Sequence, residues 1–295
     1  MSRSFVAASL LFLATAVPAV AQVAAFDNNV PTGPRGADYL STRPLEAQPT
    51  NEIGTHVRFA PGTPRALHTV RFGFESWAQR SQHTGIGDEN GWLQAMTVNV
   101  YAVGPTPTTI GTSPGPILAT FTRSVLVPWR PAPSDACGIN TQDGQRQYTD
   151  AVSGACRSGK DFVATFDMSA LGVVLPDEVI VTLATNTQNN GYQPIGSPGP
   201  WNSLNLAFWI HGQTGEPADA SVGSFGDLGY LSSGFVDGTA RPLVSRQLNF
   251  PGFGRFEPVL SVSTVVPEPS TYALMASGLV MLSGVMRRRR RDRTA

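Results

Sequence analysis

Gly111-Thr112-Ser113-Pro114-Gly115 has the G-x-S-x-G spacing with which some hydrolases present a nucleophilic serine. That elbow joins a strand to a helix, and the residue after the serine donates an oxyanion-hole N–H. Here that residue is Pro114, which has no N–H, and a strand-like run from Ile117 follows, so a turn is expected instead. Glu75, Asp88, Glu89, Asp167, Asp177 and Glu178 are the carboxylates open to general acid–base work. Glycoside hydrolysis would need two of them ~5–10 Å apart across a cleft, a distance no sequence displays. His56, His68, His83 and His211 stand far apart, without an H-E-x-x-H or H-x-H pair. Gly87-Asp88-Glu89-Asn90-Gly91 gathers oxygen ligands that suit calcium but misses the EF-hand spacing. Trp77, Trp92, Trp129, Trp201 and Trp209 have the flat faces that stack on sugar rings, and the same faces fill the ends of a sandwich by burial. No motif calls for a cofactor and no catalytic set assembles, so a non-enzymatic protein is expected. A carbohydrate-binding module and a secreted hydrolase are the alternatives.

A clearer pattern lies near the C-terminus, and it is one of recognition. Val266-Pro267-Glu268-Pro269-Ser270 leads into an apolar run, Tyr272 to Met286, and then into Arg287 to Arg291. Pro267 and Pro269 remove two backbone donors and hold the chain extended, a form that can enter a recognition groove. The apolar run would span roughly 22 Å as a helix, short of the ~30 Å bilayer core. Arginine snorkelling and bilayer thinning can close that gap. A single transmembrane helix is therefore expected over 272–286. The Arg-rich tail, 287–295, would stay cytoplasmic and place everything before it on the outer side. At the other end, Met1-Ser2-Arg3-Ser4, the apolar stretch Phe5 to Val17 and the small residues of Ala19-Val20-Ala21 read as a signal peptide over 1–21, cut before Gln22.

With these motifs the chain resembles the PEP-CTERM proteins of Gram-negative bacteria, closely over about the last 28 residues and loosely over the signal peptide. The resemblance implies that an exosortase, a membrane-embedded cysteine protease, reads Pro267, Glu268 and Pro269 and processes the anchor. Those three are then recognition residues for a partner enzyme. It further implies a membrane attachment that is transient, a final place at the cell surface or in the extracellular matrix, and exopolysaccharide or another glycan as a neighbour.

The elements that must carry these features come from the body between the two signals. From Gln22 to Val266 it holds 14 basic and 19 acidic residues, a balance of −5, whereas the whole chain is neutral because of its arginine tail. An acidic body with one lysine, Lys160, offers no footprint for nucleic acid. Short β-rich runs bounded by turn residues recur: Thr69 to Glu75, Met96 to Val103, Ile117 to Val127, Phe162 to Phe166, Val179 to Ala184, Leu204 to Ile210 and Val259 to Val265. Val70, Phe72 and Phe74 alternate toward a core, as do Val98, Val100 and Ala102, with Asn99 and Tyr101 outward. An all-β fold follows, an antiparallel jelly-roll-like β-sandwich over 65–265. The Pro-rich segment 22–64 is a tether or an edge strand leading into it, and 266–295 is the sorting signal, its motif at 266–270. Ser113-Pro114-Gly115-Pro116 and Ser197-Pro198-Gly199-Pro200 share turn chemistry and do not make a repeat.

Cys137 and Cys156 lie in one long loop, Trp129 to Lys160. In an exported protein, two cysteines at short separation are expected to pair. A nucleophilic or metal-binding role would want a CxxC or a nearby histidine, and neither is present.

Overall fold

The computed structural model describes residues 21–28, 41–44, 50–82, 85, 87–106, 109–140, 144, 146–185, 204–210, 220–233, 243–246, 249–250 and 254–266. Gln22–Val266 forms one compact unit. The leader up to Val20, Pro267 to Pro269, the apolar run 272–286 and the arginine tail lie outside the described residues. No helix among the described residues is long and apolar enough to cross a membrane.

The fold is all-β. Its strands are β1 (Gln22–Asp27), β2 (Ser41–Pro44), β3 (Thr50–Arg58), β4 (Ala66–Ser76), β5 (Gly91–Ala102), β6 (Ile117–Pro128), β7 (Tyr148–Thr149), β8 (Cys156–Arg157), β9 (Lys160–Asp167), β10 (Glu178–Thr185), β11 (Leu204–Ile210), β12 (Ser224–Ser233), β13 (Val244–Arg246), β14 (Asn249–Phe250), β15 (Gly254–Pro258) and β16 (Leu260–Val265). Two antiparallel sheets face each other. In the first, β1, β16, β4 and β9 lie side by side, and β11 continues the β16 edge of β4 and carries β2 and β15. The second runs β13-β12-β3-β10-β5-β6. The seven β-rich runs of the sequence all fall on strands of these sheets.

Period-two alternation decides which side chains meet between the layers. Val70, Phe72 and Phe74 of β4 point inward, opposite Phe166, Ala164 and Phe162 of β9. From the other sheet come Val57, Met96, Val98, Val100, Val181 and Leu183, all sealed from solvent. Phe26 of β1 meets Phe225 of β12 edge-on at 5.0 Å, closing one side. Each large side chain so buried contributes about 1.5–3 kcal/mol. Polar groups are buried as well, among them Glu257, a carboxylate 1 % exposed that accepts a hydrogen bond from Thr55 Oγ1 at 2.8 Å.

Two features depart from the sequence reading. Residues 22–64, read there as a tether or an edge strand, supply the edge strand β1 to the first sheet, in line with the second alternative, but also β3 to the interior of the second, which neither alternative has. The outer face of the second sheet is also less wet than alternation suggests. Tyr101 packs there with Ile180 and Tyr230 in a small cluster of its own, joined by Val103 and Leu243. Beside it Glu52 accepts hydrogen bonds from Asn99 Nδ2 at 2.9 Å, from the Tyr101 hydroxyl at 2.8 Å and from Thr182 Oγ1.

Candidate functional site

The sorting segment is delivered by β16, an interior strand held between β1 and β4. Its last ladder residue, Val265, stands opposite both Gln22 and Ala66, and the exposed Val266 then leads directly to Pro267. The residue expected to follow the signal-peptide cut and the residue before the sorting motif are thus neighbours across one ladder. Thr264 Oγ1 donates to Val23 O at 3.5 Å beside that corner.

A second constellation sits on the outer face of the first sheet. Glu75 of β4 and Asp161 of β9 are directly opposite in register, which places their Cβ atoms about 4.5–5.5 Å apart. Glu75 is buried, and the indole N–H of Trp77 donates to its Oε2. Gly159 makes room for it, since a Cβ there would come within 2.2 Å of Glu75 Cδ. The Tyr148 hydroxyl donates to Gly159 O at 2.9 Å. Asp161 Oδ1 is buried without a hydrogen-bond partner among the described residues.

Electrostatics follow from this crowding. Burial, and then the charge of Glu75, push the Asp161 carboxyl up to about 8, against the pull of Arg157 and Lys160. Burial also raises the Tyr148 phenol, helped by Asp161, Asp150 and Glu75. Asp150 goes the other way, held down by bonds from Ser153 Oγ at 2.7 Å and Ser153 N at 3.0 Å. The loop that carries Tyr148 is stapled by Cys137–Cys156, with Cα atoms 5.5 Å apart, so the expected pairing is present. A carboxyl pair of this kind holds a proton at neutral pH and is chemically able to give or take one.

Asp161 was not among the carboxylates singled out in the sequence. Its partner lies 86 residues earlier, and only the β4–β9 register joins them. The other candidates form no larger constellation among the described residues. Asp88 spends its Oδ1 on the backbone N–H of Asn90 at 2.7 Å and of Gly91 at 3.3 Å, a turn-closing use of the carboxylate. No group of three or more metal-ligating side chains forms among the described residues. His56 Nε2 lies 3.1 Å from Glu178 Oε2, and His68 Nδ1 lies 3.7 Å from Asp167 Oδ1 on the other sheet. Ser113 is exposed on the β5–β6 connection, and strand β6 follows it where an elbow would need a helix. Trp92, Trp129 and Trp209 are buried, the first two with ring centres 4.7 Å apart. Trp77 is half-buried, and Trp201, His83 and His211 lie outside the described residues.

Residues 265–291 match the PEP-CTERM protein-sorting motif. The chain therefore carries a C-terminal sorting signal, which marks it for export to the surface or exterior by way of an exosortase-type membrane protein. No curated protein and no solved structure matches the chain.

Proposed function

We propose that this chain is a non-enzymatic protein of the cell envelope or extracellular matrix, anchored for a time by residues 272–286 and then released by cleavage near Pro267 to Ser270. The observation that carries this is the sorting motif over 265–291. Its placement supports the reading, because β16 ends at Val265 and a cut beyond Val266 spares every strand of the sandwich. Pro267, Glu268 and Pro269 serve as recognition residues, Arg287 to Arg291 hold the orientation, and the leader is removed before Gln22. The order β1-β16-β4-β9 facing β3-β10-β5-β6 supports a jelly roll, since eight strands wound as two Greek keys give this interleaving. Intact-mass analysis of protein from a host that carries the sorting enzyme tests the proposal. A mature chain beginning at Gln22 and ending near Pro267 to Ser270 is expected, and a chain still ending at Ala295 contradicts release.

A second reading, a secreted hydrolase, draws support from the Glu75–Asp161 pair, whose cross-strand adjacency and retained proton suit a carboxylate couple. Against it, Glu75 is 6 % and Tyr148 2 % exposed, so a substrate would have to reach acids lying beneath the stapled loop. A screen against glycoside and ester substrates separates the readings. Turnover that disappears in Asp161→Asn would establish the hydrolase.

A further inference from the structure

We infer that, while the chain is anchored, the end of the sandwich that carries Val266 lies against the outer leaflet, with Val174, Leu171 and Val266 in contact with lipid. The inference rests on the proposed membrane anchor and adds to it the face by which the domain meets the bilayer.

Three observations carry it. First, five residues, 267–271, separate Val266 from the apolar run at Tyr272. Fully extended they reach at most about 18 Å. A domain tethered so closely has one end near the interface at all times, and that end is the Val266 end. Second, both membrane-seeking stretches of the sequence leave the sandwich from this place. Gln22, the first residue after the leader, stands opposite Val265 in the β1–β16 ladder. Third, exposed aliphatic side chains stand there among polar neighbours such as Gln22 and Asp177. Val174 forms a bridge to Ala66, and Ala66 pairs with Val265, so Val174, Ala66, Val265 and Gln22 make one row across adjacent chain segments. At about 4.8 Å per spacing, Val174 stands about 10 Å from the exit strand. Its side chain is 71 % exposed, Leu171 three residues earlier 41 %, and Val266 39 %.

Two of the three acids near this end are matched by arginines, and the third, Asp167, lies 3.7 Å from His68 Nδ1. Arg65 Nη2 lies 2.9 Å from Asp177 Oδ1, and Arg58 Nε lies 3.4 Å from Glu178 Oε2. Lone exposed aliphatic residues are ordinary on protein surfaces. Leu93 and Leu126, paired across β5 and β6 toward the opposite end, are exposed as well. What distinguishes the Val174 row is that the strand leading to the proposed membrane segment ends in it, and this makes a lipid surface its occupant.

The test uses the full chain reconstituted in vesicles of phosphatidylethanolamine and phosphatidylglycerol. An environment-sensitive dye is attached at Val174→Cys, or at Leu93→Cys as the equally exposed control, the two native cysteines being joined to each other. On flotation with vesicles, the dye at position 174 should shift to the blue and lose at least about half of its quenching by aqueous iodide, as expected for a group within the headgroup and acyl boundary. The dye at position 93 should stay open to iodide. Hydrogen exchange on the unsubstituted chain gives a second measurement, with amides of 171–175 expected to slow in the vesicle-bound chain relative to the chain cleaved after Val266. A chain that floats with both dyes equally open and no slowing overturns the contact face and leaves the anchor intact. A chain that does not float overturns the anchor, and the face with it.

Discussion

Asp161 keeps its proton at pH values where an ordinary aspartate has lost it. Its native value near 8 stands above the usual 3.8, so between those two pH values the folded state holds a proton that the unfolded chain releases. Stability contributed at this site is therefore full below about pH 4, falls as pH rises, and levels off above about pH 8. Asp161→Asn, which keeps the shape without the charge, should stabilise the protein by on the order of a few kcal/mol at pH 8.5 and by far less at pH 4.5. Urea unfolding at the two pH values reads this out, and an equal effect at both contradicts it. Glu75 was legible as a candidate acid and Asp161 was not, for a physical reason. Lys160-Asp161-Phe162 looks like a solvated strand entry, and the crowding that perturbs Asp161 comes from the fold-back of the preceding loop, which brings Tyr148 near, and from Glu75 on β4, distant in sequence. The tryptophans teach the same lesson. Their size was visible, but whether each faces water or the core depends on the loops that close over the sandwich.

Among elements, the stapled excursion from Trp129 to Lys160 has little apolar content and short strands, β7 and β8, so its order depends on the covalent tie. Cys137→Ser with Cys156→Ser should cost about 3 kcal/mol and open this loop to limited proteolysis before the sheets unfold. Cleavage mapping by mass spectrometry shows whether the first cuts fall there. Strand β3 illustrates the other limit of sequence reading. Thr50-Asn51-Glu52-Ile53-Gly54-Thr55-His56-Val57-Arg58 has few apolar residues, yet it lies between β12 and β10. Gly54 lets it lie there, since a Cβ at that position would come within 2.0 Å of Val181 O. Gly54→Ala should lower stability by about 1–3 kcal/mol through overpacking, measured as a drop in the urea midpoint at unchanged slope. Strand β12 escaped notice because its register shifts between Phe225 and Gly229, which breaks the period-two signal. The seven runs that were legible are rich in β-branched, aromatic and other apolar residues, either alternating as in Val70-Arg71-Phe72-Gly73-Phe74 or nearly continuous as in Val179 to Leu183.

For the whole molecule, the C-terminal address was easier to read than the fold, because a Pro-Glu-Pro motif and an arginine cluster act through local composition. The pairing of two sheets needs partners that no local pattern names. Substitution of Arg287 to Arg291 by serine should weaken membrane retention or scramble orientation, as judged by fractionation and protease protection, because the positive-inside signal is gone. Substitution of Glu268 should leave insertion unchanged and abolish the shift to the shorter mature form. The adjacency of Gln22 and Val265 bears on a different property, mechanical strength. The two ladder ends sit at the same corner of an antiparallel pair whose outer strand is β1, so a pull between the chain ends loads the β1–β16 hydrogen bonds one pair after another, as a zipper opens. A load applied from the C-terminal tether to a mid-sheet attachment would strain many bonds at once in shear. The domain should therefore resist tension well when held through its anchor and its broad surface, and peel at low force when stretched end to end, a contrast that single-molecule pulling in the two geometries can measure.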